Sequence, residues 1–538
     1  MKRPLLHLLL AIIACIGSVT TTQAIISPIA LETLVIQEGG RKKPFLVFAE
    51  ETTRSLSGKT RVPLAGGMTD SMTLVTSLWM SPDPSWKGVP LLLVSNRPFK
   101  QHLGLDPSRK LFAHNELVAN EVLAKDVAII AEIRRRDPRA KLAPLQKEAS
   151  DVAMRMGLLE SLLDGESYRV IPPVSGNDWL PAGDSHGNSI GNMLEAMRGS
   201  WIAGNQIGFD AAARGLIGEQ RLLGGLPPQW KISLERIYQK AHPFRWAWIL
   251  YAAAGIVLLV SSNGLKRTGY RIAWTLAGAG FLLQAAGLVS RVLIAGRPPV
   301  TNMYESVIWV AFGTILFALV FETIYRAGSF LLGAVPVAVA SLILADSQPM
   351  ILDRSIHPLT PVLRDNFWLT THVLSITLSY AAFALSLGVA HVALGQVIAG
   401  RKPTATLYNY LYKTLQVGVL LLATGTILGG VWANYSWGRF WDWDPKETWA
   451  LTALLGYLFL LHGRISGLWG GFGLAVGAVL AFMSVLMAWY GVNFVLGAGL
   501  HSYGFGSGGL PLVAAFVGCE ILFLLTAILR RRNAGAYL

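Results

Sequence analysis

Five of the chain's 17 tryptophans fall between Val431 and Trp449, in VWANYSWGRFWDWDPKETW. They are Trp432, Trp437, Trp441, Trp443 and Trp449, interleaved with Tyr435, Phe440 and the charged residues Asp442, Asp444, Lys446 and Glu447. Indole faces give large stacking areas at low entropic cost, so such a cluster suits a flat, apolar ligand whose polar edges meet the charges. An interfacial aromatic belt would account for two or three of the rings, but not for the charges packed among them. Four histidines supply the other chemistry. His372 lies in NFWLTTHVLSITLSYAAF and His501 in LHSYGF, while His391 and His462 stand within apolar stretches. Ionisable groups in such stretches are rare and mark functional sites, here as metal ligands or proton carriers.

The elements that must position these side chains are membrane helices. Of 538 residues, 52% are hydrophobic and 14% charged, against about 25% charged in ordinary soluble domains. The charge is uneven: residues 1–243 hold 51 charged groups and residues 244–538 only 27. Nine apolar stretches in the back half are long enough to cross a ~30 Å hydrocarbon core. They lie near 245–262, 272–292, 303–324, 328–345, 368–397, 413–431, 448–463, 467–490 and 510–529. Alternate connections hold eleven basic residues against the single acid Glu322, and the opposite set is balanced at seven of each. The positive-inside rule places the basic set in the cytoplasm. His372, His501 and the tryptophan segment then share the outer surface. His391, 19 residues past His372, is about 28 Å further along the helix, and His462 is about 21 Å deep.

The front of the chain agrees with this orientation. Lys2 and Arg3 precede an apolar run, Leu5–Ile16, and the small-residue cleavage pattern Thr22-Gln23-Ala24, which predict a signal peptide over 1–24. Ile12-Ile13-Ala14-Cys15 offers a lipobox as the alternative. Residues 25–243 then form an extracytoplasmic domain of mixed, mainly helical structure, with a Gly-rich turn and helix in Gln37–Arg61 and an apolar face of Leu158, Leu159, Leu162 and Leu163. Residues 244–538 form an α-helical polytopic membrane domain. Only Cys15 and Cys519 are present, which excludes a disulfide framework, a CxxC pair and a CxxCH haem-attachment site in this chain. No nucleic-acid partner is expected, because the surplus basicity of the membrane half sits in its cytoplasmic turns.

WGRFWDWDPKETW resembles the tryptophan-rich WWD signature of haem-handling proteins in cytochrome c maturation. With GRPPVTNMYES before the third span, HVLSITLSYAAF in the fifth and LHSYGF after the eighth, residues 245–532 most resemble CcsA (ResC), the multi-span half of the System II cytochrome c synthase. The likeness to CcmC and CcmF of System I is weaker, the first being shorter and the second longer. GGRKKPFLVFAEETTRSLSGK is similar to the external segment joining the two halves of fused synthases.

The resemblance implies non-covalent haem b, with His372 and His501 as external iron ligands beneath a shelf of Trp432, Trp437, Trp441, Trp443, Trp449, Asp442 and Asp444. It implies His462 as a ligand of an inner haem. The second inner ligand then comes from a separate ResB/CcsB-like membrane protein or, alternatively, from His391. Glu305 is placed to brace the outer site. The expected activity is presentation of haem for thioether attachment to CxxCH apocytochrome c, as a component of a holocytochrome c synthase complex. Thioredoxin-like thiol reductants are further expected partners. A haem transporter or chaperone feeding a separate ligase is the competing reading. An ion transporter would leave the tryptophans unexplained.

Overall fold

The structure, a computed structural model, describes residues 26–535 apart from 65, 139, 141, 174–175, 186–188, 262–265, 349–350, 360–364 and 497–508. The expected signal peptide and His501 therefore lie outside the described residues. The chain divides into two compact units, Met1–Pro228 and Gln229–Leu538.

The first unit builds helices around four two-stranded antiparallel ribbons. Strands β1 (Val35–Glu38) and β2 (Arg41–Pro44) turn through Gly39 and Gly40, both at positive φ, as a two-residue hairpin requires. Helix α1 (Phe45–Ser57) follows and ends on Gly58 at φ 78°. β3 (Arg61–Leu64) pairs with β4 (Gly67–Asp70), and Asp70 caps α2 (Ser71–Met80) through the Thr73 amide. β5 (Pro90–Leu93) and β6 (Leu111–Ala113) flank α3 (Arg97–His102). The helices α4 (His114–Val118), α5 (Glu121–Arg136) and α6 (Pro144–Leu163) come next. A last ribbon, β7 (Arg169–Ile171) with β8 (Leu180–Pro181), precedes α7 (Ser189–Ile202) and α8 (Gln206–Leu223).

Phe45, Phe48, Trp79 and Tyr168 form the aromatic centre of this unit, Trp79 stacked on Tyr168 at 4.6 Å. Of the four leucines expected on the α6 face, Leu159 and Leu162 are fully buried and their neighbours partly so. Gln220 on α8 donates to the carbonyls of Val35 and Val170 and accepts from the Val35 amide, tying the end of the unit to its first strand.

The second unit begins with α9 (Gln229–Ala241) and continues, past His242 at φ 45°, into α10 (Pro243–Ser261). Then come α11 (Lys266–Ala295), α12 (Met303–Tyr325), α13 (Ser329–Ser347) and α14 (Asn366–Ile398). α15 (Ala405–Trp437), α16 (Pro445–Ile465), α17 (Gly471–Leu496) and α18 (Leu510–Gly535) complete it. All nine apolar stretches read from the sequence are thus helices long and apolar enough to cross a membrane.

α14 is the buried centre of the bundle, in contact with α12, α13, α15, α17 and α18. Its small residues make that possible: a Cβ on Gly388 would stand 2.1 Å from the Gly333 carbonyl oxygen of α13. α15 is longer than its apolar core implied. Its 33 residues rise about 50 Å, well beyond the hydrocarbon thickness. The expected loop 431–449 consequently shrinks to residues 438–444, with Trp432 and Trp437 on the projecting end of α15 and Trp449 on α16. Gly438 at φ 71° stops one helix, and Asp444 with Pro445 starts the next.

Candidate functional site

His372 stands where α14 departs from α geometry. Residues Leu369–Val373 form a π-helical turn, the one-residue insertion that recurs at functional sites. Asp365 starts the segment by accepting the amides of Phe367 and Trp368. The His372 Nδ1–H donates to the Gly425 carbonyl at 2.8 Å, which places the lone pair of the neutral ring on Nε2. Its ring lies 5.7 Å from Trp432, and Trp432 is parallel to Trp368 within 8° at 6.4 Å. Glycines on α15 make this approach possible. A Cβ on Gly425 would meet the Ile376 backbone at 2.9 Å, and one on Gly429 would meet His372 Cε1 at 2.6 Å.

The tryptophan turn is built around its acids. Asp444 caps α16 by accepting the Lys446 amide, while Glu447 accepts the amides of Asp442 and Asp444. Asp442 pairs with Arg439 at 2.6 Å. These carboxylates fix the turn. Trp441 meets Trp443 edge-on at 5.9 Å, and Trp443 holds a left-handed φ of 56° that a bulky residue seldom adopts. Its side chain is 70% exposed. Lys446 reaches Asn493 on the π-helical end of α17, Met487–Leu496, at 3.4 Å. Of the two described stretches of π-helix, the first holds His372.

The expected bracing role of Glu305 meets a fully buried partner, Arg291, at 2.7 Å, each side chain 1% exposed. Nearby, Asp353 accepts from His357 and from the Ser355 amide; desolvation pushes its carboxyl up, but these bonds outweigh it and hold the pKa at about 2. His357 thus serves its own loop.

The two deep histidines are not brought together. His391 donates through Nδ1 to the Leu387 carbonyl, and its Nε2 faces the Glu520 carboxylate of α18 at 3.0 Å, with Phe523 stacked on the ring. His462 donates through Nδ1 to the Leu458 carbonyl, so its lone pair is on Nε2, and its side chain is exposed on the outer surface of this unit. Among the described residues no contact joins them. Trp368, Gly425, Gly429 and Arg291 escaped the sequence reading. The glycines left a trace, since Gly418, Gly425 and Gly429 repeat on one helical face.

Among the described residues, nine helices long and apolar enough to cross a membrane, with an imidazole beside parallel indoles, define a polytopic membrane protein. Comparison with known proteins narrows the class. The family described as cytochrome C assembly protein matches residues 300–501. The chain is 34% identical over 306 residues to the cytochrome c biogenesis protein CcsA of a Synechococcus strain, covering 49% of this chain and 98% of that protein. With CcsA of Guillardia theta it shares 35% identity over 246 residues, 40% of this chain and 80% of that one. With Protein NrfI of Wolinella succinogenes it shares 28% over 515 residues, 88% of this chain; the chain spans about half of that relative, 54%. Such coverage reaches well into the first unit. The chain belongs to the CcsA family of cytochrome c biogenesis proteins.

Membership implies haem handling, and the residues fit that cargo. His372 carries its lone pair on Nε2, where a metal could be held, its ring is cradled by glycine, and indole faces stand beside it. His462 has the same tautomer.

Proposed function

We propose that the chain holds haem at the tryptophan end of the bundle, on the extracytoplasmic side, and presents it to CxxCH apocytochrome c together with a ResB/CcsB-like partner. The observation that carries the reading is His372 in its π turn, its tautomer set by Gly425 and its ring beside the Trp368–Trp432 pair. Haem so bound supplies two vinyl groups for addition of the apocytochrome thiols. The addition is redox-neutral: each S–H and one C=C π bond are exchanged for an S–C and a C–H bond.

The chain's own residues do the positioning. His372 and His501 would hold the iron, and two imidazole ligands would close it to oxygen chemistry. Trp432 and Trp368 give a flat wall, and the Arg439, Asp442, Asp444, Lys446 and Glu447 turn holds Trp441 and Trp443 at the rim. Rate gain comes from bringing thiols and vinyls together in one orientation. At the other end, His462 faces away from its own unit, which supports a second ligand from the partner. His391 has its Nε2 engaged by Glu520, which speaks against the alternative.

The test is co-expression of the chain, a ResB/CcsB-like partner and a CxxCH reporter in a host without its own maturation system. Covalent holocytochrome is expected, lost in His372→Ala and in His501→Ala and restored by added imidazole. A purified chain with no Soret band, haem being available, would overturn the reading. Haem-loaded protein that yields no thioether with its partner present would leave a chaperone for a separate ligase.

A further inference from the structure

The Arg291–Glu305 pair is more than a buried contact, because of what is attached to it. The second carboxylate oxygen of Glu305 accepts from the Thr301 amide at 2.9 Å and from its hydroxyl at 2.6 Å. Arg291 donates from Nη1 to the Tyr238 hydroxyl and to the Arg354 carbonyl, and lies over the Tyr304 ring. The pair therefore closes the corner between α11 and α12 and gathers Tyr238 of α9 and the backbone at Arg354 onto it.

Two hydrogen bonds lead from this corner, one to the segment that bears His372 and one to the π-helical end of α17. Asn366, the first residue of α14, donates to the Gly296 carbonyl at 3.3 Å, six residues before His372. Ser306, next to Glu305, accepts from Trp489 Nε1 at 2.9 Å, within the π-helical end of α17. Trp489 in turn lies against Tyr380 of α14 at 6.0 Å, which closes the circuit.

Stability alone is a poor reason for such a pair. Replacing a buried ion pair by apolar side chains of similar volume is often neutral or stabilising, whereas removing one partner strands a charge. We propose that Arg291 and Glu305 are positioning residues for the haem site: they fix the corner between α11 and α12, from which Gly296 at the end of α11 and Ser306 at the start of α12 set the π turn of His372 and the π-helical end of α17. This rests on the haem reading above and adds to it the residues that hold the ligand-bearing segments in register.

The double variant Arg291→Met/Glu305→Leu separates positioning from stability, because it leaves no buried charge behind. In full-length protein purified from haem-replete membranes, we expect an unchanged unfolding midpoint. The low-spin bis-imidazole bands should fall about ten- to hundredfold per chain, the usual cost of losing an outer support of a metal ligand, and return on adding imidazole. Parent-like bands in the variant overturn the brace alone. A parent without haem bands overturns the haem reading, and the brace with it. Should the double variant fail to accumulate, Asn366→Ala/Ser306→Ala cuts only the two outgoing hydrogen bonds. Weakened bands rescued by imidazole then support the brace, and parent-like bands overturn it.

Discussion

A methyl group added at Gly429 would stand 2.6 Å from Cε1 and 3.1 Å from Nδ1 of His372, distances at which the ring must move. Overpacking of this kind costs about 1–3 kcal/mol, and the first contact to yield is the bond from Nδ1 to the Gly425 carbonyl. Gly429→Ala is therefore expected to lower haem occupancy by about tenfold or more while the protein still inserts and purifies. Gly278→Ala on α11, where an added Cβ meets nothing within 4 Å, serves as control and should leave the Soret band unchanged. Equal spectra for the two variants would refute the cradle. The deep histidines give a second test at this scale. In a His372→Ala background with the partner present, His462→Ala should abolish the remaining haem signal. His391→Gln/Glu520→Gln, which removes both halves of the buried pair together, should retain it; the reverse pattern would move the inner ligand to His391. The candidate residues themselves were legible in the sequence, since histidine and tryptophan in apolar stretches stand out. Gly429 and the Glu520 partner of His391 were not, because close approach between helices leaves no local mark.

At the scale of elements, the nine spans were legible for a simple reason: a run of about 18 or more apolar residues has few alternatives to a membrane helix. The two π-helical stretches were hidden, because one inserted residue per turn changes neither composition nor length enough to notice. The length of α15 was hidden too, since its projecting end carries Asn434, Tyr435 and Ser436 and reads as loop. The π turn yields a prediction. Deleting Thr371 removes the inserted residue, so the turn can return to α geometry with Trp368 and the packed remainder of α14 keeping nearly the same relative orientation and His372, inside the turn, re-aimed. The bond from His372 to the Gly425 carbonyl should be lost, with loss of haem bands, while the Trp368–Trp432 pair and the buried core of α14 keep their places. Retention of parent-like haem bands would show that the π turn does not set the site.

For the whole molecule, the informative quantity is how charge is distributed rather than its sum of +14. Eleven basic residues lie at one end of the helical bundle, and the tryptophan turn, the His372 segment and the Arg291–Glu305 corner lie at the other. On the proposed function, the positive-inside rule predicts that the tryptophan end faces outward, where an exported apocytochrome would meet it, and the signal-like pattern of residues 1–24 predicts the same side for the first unit. The fold of that unit was only partly legible, as helices and a glycine turn, because its core is assembled from segments far apart in sequence: Gln220 closes on Val35, and Tyr168 stacks on Trp79. The orientation is open to direct measurement. In a Cys15→Ser/Cys519→Ser background, single cysteines at Ser85 in the first unit, Ser436 at the tryptophan end and Ser466 at the basic end are all exposed. A membrane-impermeant maleimide applied to intact cells, with the outer envelope permeabilised, should label the Ser85 and Ser436 positions, and the Ser466 position only after the inner membrane is opened. Labelling at 466 alone would invert the whole arrangement and put the haem site in the cytoplasm. Labelling at 436 without 85 would place the first unit across the membrane from the site, which removes it from any direct part in receiving apocytochrome.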